Sequence, residues 1–108
     1  MEIEQDQMMQ KRLKEMMDFF EWRCAYSGEL VYTSKMRSID HIVPVSKGGE
    51  NEIWNIVPMY KNYNKSKNAQ DMITWYKQQD FYSEERLNKI NEWQEYAYNK
   101  YGLNDEII

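Results

Sequence analysis

Two short apolar runs, "SIDHIVPV" (residues 38–45) and "IWNIVPM" (residues 53–59), are each interrupted by a proline and are separated by the pair Gly48-Gly49. Proline offers no N–H to a ladder, so Pro44 and Pro58 confine both runs to short strands that end or lie at an edge. The glycine pair breaks the pattern and opens a loop. The spacing therefore predicts a compact strand–loop–strand unit at the centre of the chain.

Helical patterns flank this unit. Met9, Leu13, Met16, Met17 and Phe20 recur mostly at three- and four-residue steps with Lys11, Lys14, Glu15 and Asp18 between them, which predicts a helix over residues 5–22. "CAYSG" (24–28) reads as a turn and "ELVYT" (29–33) as a further short strand. A short polar helix is expected from Tyr60 to Lys67. Another covers residues 69–79, with Met72, Ile73 and Tyr76 on one side. Ser83 is a good N-cap for a last helix whose stripe is Leu87, Ile90, Trp93, Ala97 and Tyr101, with Glu84 and Glu85 in its first turn and Gly102 suited to its stop.

The 108 residues are enough for one domain, and 42% apolar with 15% aromatic residues favours a packed core over disorder. Fourteen basic against eighteen acidic side chains leave a net charge of −4, a mild argument against a free-standing nucleic-acid binder. That charge is unevenly spread, since residues 47–67 hold four lysines and two glutamates. The single cysteine, Cys24, excludes an internal disulfide framework. The opening "MEIEQDQ" lacks the basic-then-apolar order of a signal peptide, and no apolar run approaches the roughly 18 residues of a membrane span. A cytoplasmic protein without membrane attachment is expected.

The chain's one histidine, His41, follows Asp40 in the first run. Neighbours on a strand point to opposite faces, so the two can serve one site only where the strand twists or ends. Asn55 interrupts "IWNIV", where a buried amide would need a specific partner. Asn64 lies in "YKNYNKSKN" beside Lys65 and Lys67. If the two runs pair as a hairpin and the polar helix crosses it, Asp40, His41, Asn55 and Asn64 could converge.

In wording and spacing, "IDHIVPVSKGGENEIWNIVPMYKNYNKSK" resembles the motif of the HNH endonucleases, the ββα-metal fold. It is nearest to the HNH domains of type II CRISPR effectors and to free-standing phage and bacterial relatives. The resemblance covers residues 24–68 and implies an α+β fold: a ββα-metal core flanked by an N-terminal helix (1–22) and two C-terminal helices (69–108) in a single domain. It implies that Asp40 and Asn64 hold one divalent cation, Mg²⁺ or Mn²⁺, through oxygen atoms. His41 would be the general base and Asn55 the residue that orients its ring. Lys47, Lys61, Lys65 and Lys67 would contact phosphates of a DNA substrate.

Many family members carry two CxxC pairs that bind zinc. Here those positions are Cys24, Ser27, Tyr60 and Tyr63, so no structural zinc is expected. The resulting expectation is a metal-dependent endonuclease that nicks DNA, its specificity supplied by a protein partner or by self-association. The alternative is a non-catalytic ββα scaffold that binds a partner through its helices.

Overall fold

The two proline-broken runs pair with each other. In the computed structural model, which describes residues 2–102 and side chains from residue 7 onward, strand β1 (Arg37–His41) lies antiparallel to β2 (Ile56–Tyr60). Arg37 faces Tyr60 and His41 faces Ile56. Pro58 sits inside β2, opposite Ile39, and is tolerated because a two-stranded sheet has no central strand. Its carbonyl accepts a hydrogen bond from the Ala25 amide at 2.8 Å, so the preceding loop closes on the outer edge of β2.

Both strands are shorter than the apolar runs. β1 stops at His41, and Pro44 precedes a single 3-10 turn, Val45–Lys47. Residues 53–55, expected to begin the second strand, form another such turn. The loop between them depends on both glycines. Gly48 has φ +90°, and a Cβ on Gly49 would lie 1.8 Å from the Val43 carbonyl oxygen. "ELVYT" is not a strand. Its Val31 amide bonds to the Trp22 carbonyl and its Glu29 carbonyl accepts from Cys24, so the segment closes the turn after the first helix and is left with one isolated bridge, Leu30 to Arg23.

Helix α1 (Glu2–Phe19) ends three residues before the expected boundary, because Glu21 and Trp22 take positive φ values of 57° and 59°. After β2 come a 3-10 turn (Lys61–Tyr63), α2 (Asn64–Lys67), α3 (Met72–Lys77) and α4 (Glu84–Ala97). Ser83 caps α4 as expected, its hydroxyl accepting from the Arg86 amide. Asp71 does the same for α3 at Thr74. Beyond Ala97 the chain continues in one π turn to Gly102, which is not in the left-handed conformation of a helix stop. Gly102 instead leaves room for the Tyr98 ring, which a Cβ would approach to 2.6 Å. The last part of the expected C-terminal segment, 103–108, lies outside the described residues.

The fold is thus α+β, with helices enclosing a two-stranded sheet. The core gathers Met16 and Met17 of α1, Phe20 just after it, Val57 and Met59 of β2, and Ile90, Trp93 and Ala97 of α4. Trp93 is the main link between layers. Its ring meets Phe19 at 5.2 Å and Phe20 at 6.2 Å, and its indole N–H is shared between the carbonyls of Ile53 (3.2 Å) and Ile56 (3.1 Å). Those carbonyls flank the start of β2, so α4 fixes the strand as well as covering it. A second tie joins the helix ends, where Glu15 accepts from Tyr96, Lys100 and Tyr101. Trp93→Ala should lower stability by about 3–5 kcal/mol, the usual cost of emptying a buried aromatic position. Urea unfolding would measure it, and Trp93→Phe should lose less because the ring contacts survive.

Candidate active site

The end of β1 puts two unlike side chains at one place. Asp40 points inward and is 8% exposed, whereas His41, the last strand residue, is half-buried. Both border an open groove of about 460 Å³, whose other walls include Pro44, Ser46, Asn64 and Asn68. The strand ends where carboxylate and imidazole must share a space, which resolves the opposite-face problem. Asn64, the first residue of α2, is exposed on the far wall. A larger groove of about 590 Å³ elsewhere is lined by charges of both signs, among them Glu21, Arg86 and Glu92, and has no histidine.

Asp40 has a fixed orientation. Its Oδ2 accepts from the Tyr26 hydroxyl at 2.6 Å and meets the Lys67 ammonium at 3.2 Å. Lys67 is 1% exposed, and its ammonium also donates to the His41 carbonyl at 3.1 Å. A lysine at the end of the polar helix was expected to reach a phosphate. Lys67 is instead an internal cation, held inside by a carboxylate and a carbonyl that offset its desolvation. Lys47, Lys61 and Lys65 are exposed, as phosphate contacts require.

Burial pushes the Asp40 carboxyl above the usual carboxylate range, while the Lys67 charge, the Tyr26 and Lys67 hydrogen bonds and His41 pull it back down. Burial, together with the charge of Asp40 and the hydrogen bond to it, holds the Tyr26 hydroxyl well above its ordinary value. Tyr26 is therefore a permanent donor near neutral pH.

Oδ1 of Asp40 has no partner among the described residues, and the carboxylate borders the groove. With the amide oxygen of Asn64 it makes an oxygen-only donor pair. Among the described residues, no three His, Cys, Asp or Glu side chains gather to hold a metal, so a cation here would rely on Asp40, Asn64, water and phosphate oxygens. That is the partial, hydrated ligand set that suits Mg²⁺.

Asn55 does not touch the histidine ring. Its amide binds backbone on both sides of the loop: Oδ1 accepts from Val43 N at 3.0 Å, and Nδ2 donates to the carbonyls of Val43 (3.0 Å) and Glu50 (2.8 Å). Its own carbonyl accepts from Ile42 N at 2.8 Å. The ring contact comes from Asn51, whose Oδ1 lies 2.8 Å from His41 Nε2. Asn51 lies in the loop after the glycines and Tyr26 in the "CAYSG" turn, and nothing in the sequence singles out either one. A buried tyrosine leaves no mark in a motif, because its role depends on which carboxylate it meets.

Residues 24–71 match the profile of the HNH endonuclease family. The matched segment is an HNH endonuclease domain. It contains Tyr26, Asp40, His41, Asn51, Asn55, Asn64 and Lys67, and the family's activity is cleavage of nucleic acid. No protein of curated function matches the chain. At the positions of the family's zinc-binding pairs, Tyr60 and Tyr63 pack ring to edge at 5.2 Å, and Tyr63 lies 4.7 Å from Phe81. The Tyr63 hydroxyl donates to Glu29, and burial with this bond pushes its pKa up to about 12.

Asn55→Ala would leave Val43 N, Val43 O and Glu50 O without their partner. Val43 and Glu50 are exposed, so water can take over part of each bond and each loss costs about 0.5–1.5 kcal/mol. In the HNH domain this should appear as faster amide exchange at Val43 and a lower unfolding midpoint, with the His41–Asn51 contact loosened because both ends of its loop are freed. Hydrogen exchange followed by NMR would read it.

Proposed function

We propose that this protein is a metal-dependent endonuclease that hydrolyses DNA phosphodiester bonds and nicks one strand per active site. The observation that carries the reading is the convergence of Asp40, His41 and Asn64 on one groove. Asp40 and Asn64 would hold a single Mg²⁺, or Mn²⁺ in its place. When bound, the cation supplies Lewis-acid stabilisation to the charge that develops on the phosphate and on the leaving 3′ oxygen. The reading includes no structural zinc, because only Cys24 of the four relevant positions is a zinc-ligand type.

His41 is the general base. With Asn51 Oδ1 as acceptor, Nε2 carries the ring proton and Nδ1 keeps the lone pair. Nδ1 then removes a proton from the water that attacks phosphorus, while Asn51 holds the tautomer and the ring angle. Lys67 works one step behind. Its bond to the His41 carbonyl and its pairing with Asp40 keep the two reacting positions at a constant separation. Asn55 serves the base indirectly, by bracing the loop that carries Asn51.

Substrate contacts are few. Lys47, Lys61 and Lys65 can meet phosphates that flank the groove, against a net charge of −4. The isolated chain is expected to bind DNA weakly and cut with little sequence preference, so that a partner or self-association supplies targeting.

Two measurements test the reading. His41→Ala should lower plasmid nicking by at least roughly 10²-fold in Mg²⁺ with the fold intact, and EDTA should abolish nicking by the native protein. Undiminished cleavage in either case would reject the mechanism. In salt titrations, three phosphate contacts give a slope of log affinity against log salt of about −3. A much steeper slope would mean that a larger cationic surface is engaged.

A further inference from the structure

The segment that matches the HNH family ends at residue 71, but one feature of the site is built from beyond it. Tyr26 is fully buried, with its ring edge-on to Trp75 at 5.2 Å and to Tyr76 at 5.1 Å, both in α3. Its backbone carbonyl accepts two hydrogen bonds from the C-terminal helices, one from the Tyr76 hydroxyl at 2.5 Å and one from Arg86 Nε of α4 at 2.7 Å. Arg86 is itself fixed by a bond from Nη2 to the Phe81 carbonyl at 2.7 Å. A single tyrosine is thus held at its ring and at its backbone, and its hydroxyl ends on Oδ2 of Asp40.

This arrangement assigns different work to the two carboxylate oxygens. Oδ2 is saturated by Tyr26 and Lys67, so the carboxylate cannot rotate to exchange its oxygens without breaking both contacts. Oδ1 alone is left for the groove. A hydrated cation that takes one oxygen from Asp40 and one from Asn64 gains from that restriction, because a carboxylate already fixed in place loses less freedom on binding.

We infer that Tyr26 is a positioning residue for the cation site: seated by Arg86 and Tyr76, it locks Asp40 so that a single oxygen faces the groove. The inference rests on the proposed role of Asp40 and Asn64 as metal-binding residues. It makes α3 and α4 part of the binding machinery, in addition to their packing role.

Mn²⁺ titration of the full-length chain, followed by the EPR signal of the free ion, tests it without any cleavage step. Asn64→Ala serves as the control, since Asn64 is exposed and its loss should not disturb the fold. Native protein should bind Mn²⁺, Asn64→Ala should bind it more weakly, and Tyr26→Phe should lose roughly 10-fold or more in affinity while retaining its circular dichroism spectrum. Native-like affinity in a folded Tyr26→Phe, with Asn64→Ala weakened, would overturn the positioning role and leave the metal reading standing. Equal affinity in native protein and Asn64→Ala would overturn the metal reading, and the inference with it. If Tyr26→Phe fails to fold, Arg86→Gln decides on the same titration: weakened Mn²⁺ binding supports the inference and unchanged binding overturns it.

Discussion

A lysine with almost no solvent exposure is the constraint around which this small protein is organised. Bringing the Lys67 ammonium into the interior is costly unless a carboxylate and further acceptors receive it, and removing one partner of such a pair typically costs about 3–5 kcal/mol. Asp40 and the His41 carbonyl are those acceptors. The pair therefore ties the last residue of α2 to the last two residues of β1, across the gap where the groove opens. Asp40 then meets Tyr26, and Tyr26 meets α3 and α4. Pulling on any of these disturbs the others, so the stability of the fold and the geometry of the groove are one problem.

The rest of the molecule can be understood as support for that centre. A two-stranded sheet is marginal alone, and here it is enclosed by α1, α3 and α4. Trp93 gives α4 a grip on both the 3-10 turn and the start of β2, while Glu15 gathers the end of α4 and the following turn onto α1. Many of the aromatic residues pack in two clusters, Phe19, Phe20, Trp93 and Tyr96 between α1 and α4, and Tyr26, Trp75, Tyr76 and Phe81 around α3. Trp75 adds a polar tie, donating to the Ser66 hydroxyl at 2.9 Å and so holding α2 against α3. The short α2 carries Asn64 and Lys67 on one turn, one outward and one inward, and its hold on α3 keeps both in place.

The same economy bears on the substrate. A domain that spends one of its few central lysines on internal structure has fewer cations to offer a phosphate backbone. On the proposed reading, the exposed Lys47, Lys61 and Lys65 would give a local attraction to phosphates without long-range steering, because the chain as a whole is acidic.

Much of this was legible in the chain itself. The positions of Pro44, Gly48, Gly49 and Pro58 limited the strands to a short hairpin, and Ser83 marked the start of α4, because these residues act through their own backbone or through neighbours a few positions away. The order of Asp40, His41, Asn55 and Asn64 indicated the family for the same reason: motif spacing is a local property. Elements whose pairing is non-local were misjudged. "ELVYT" has strand composition but found a turn to close instead of an edge to join, and residues 53–55 tightened into a 3-10 turn beneath Trp93.

What only the tertiary structure decided are the partners. Sequence determined that a histidine follows a carboxylate near the end of a strand, since that comes from their adjacency and from Pro44, and it left open whether the two would share a site. It could not determine that Asn51 would meet the ring while Asn55 held the loop, that Tyr26 would meet the carboxylate from 14 residues away, or that Lys67 would turn inward. A lysine beside an asparagine on a polar helix looks solvated in any local reading. Its burial is favourable only because α2 is laid across the end of β1, where Trp75 of α3 holds Ser66, beyond the reach of any motif.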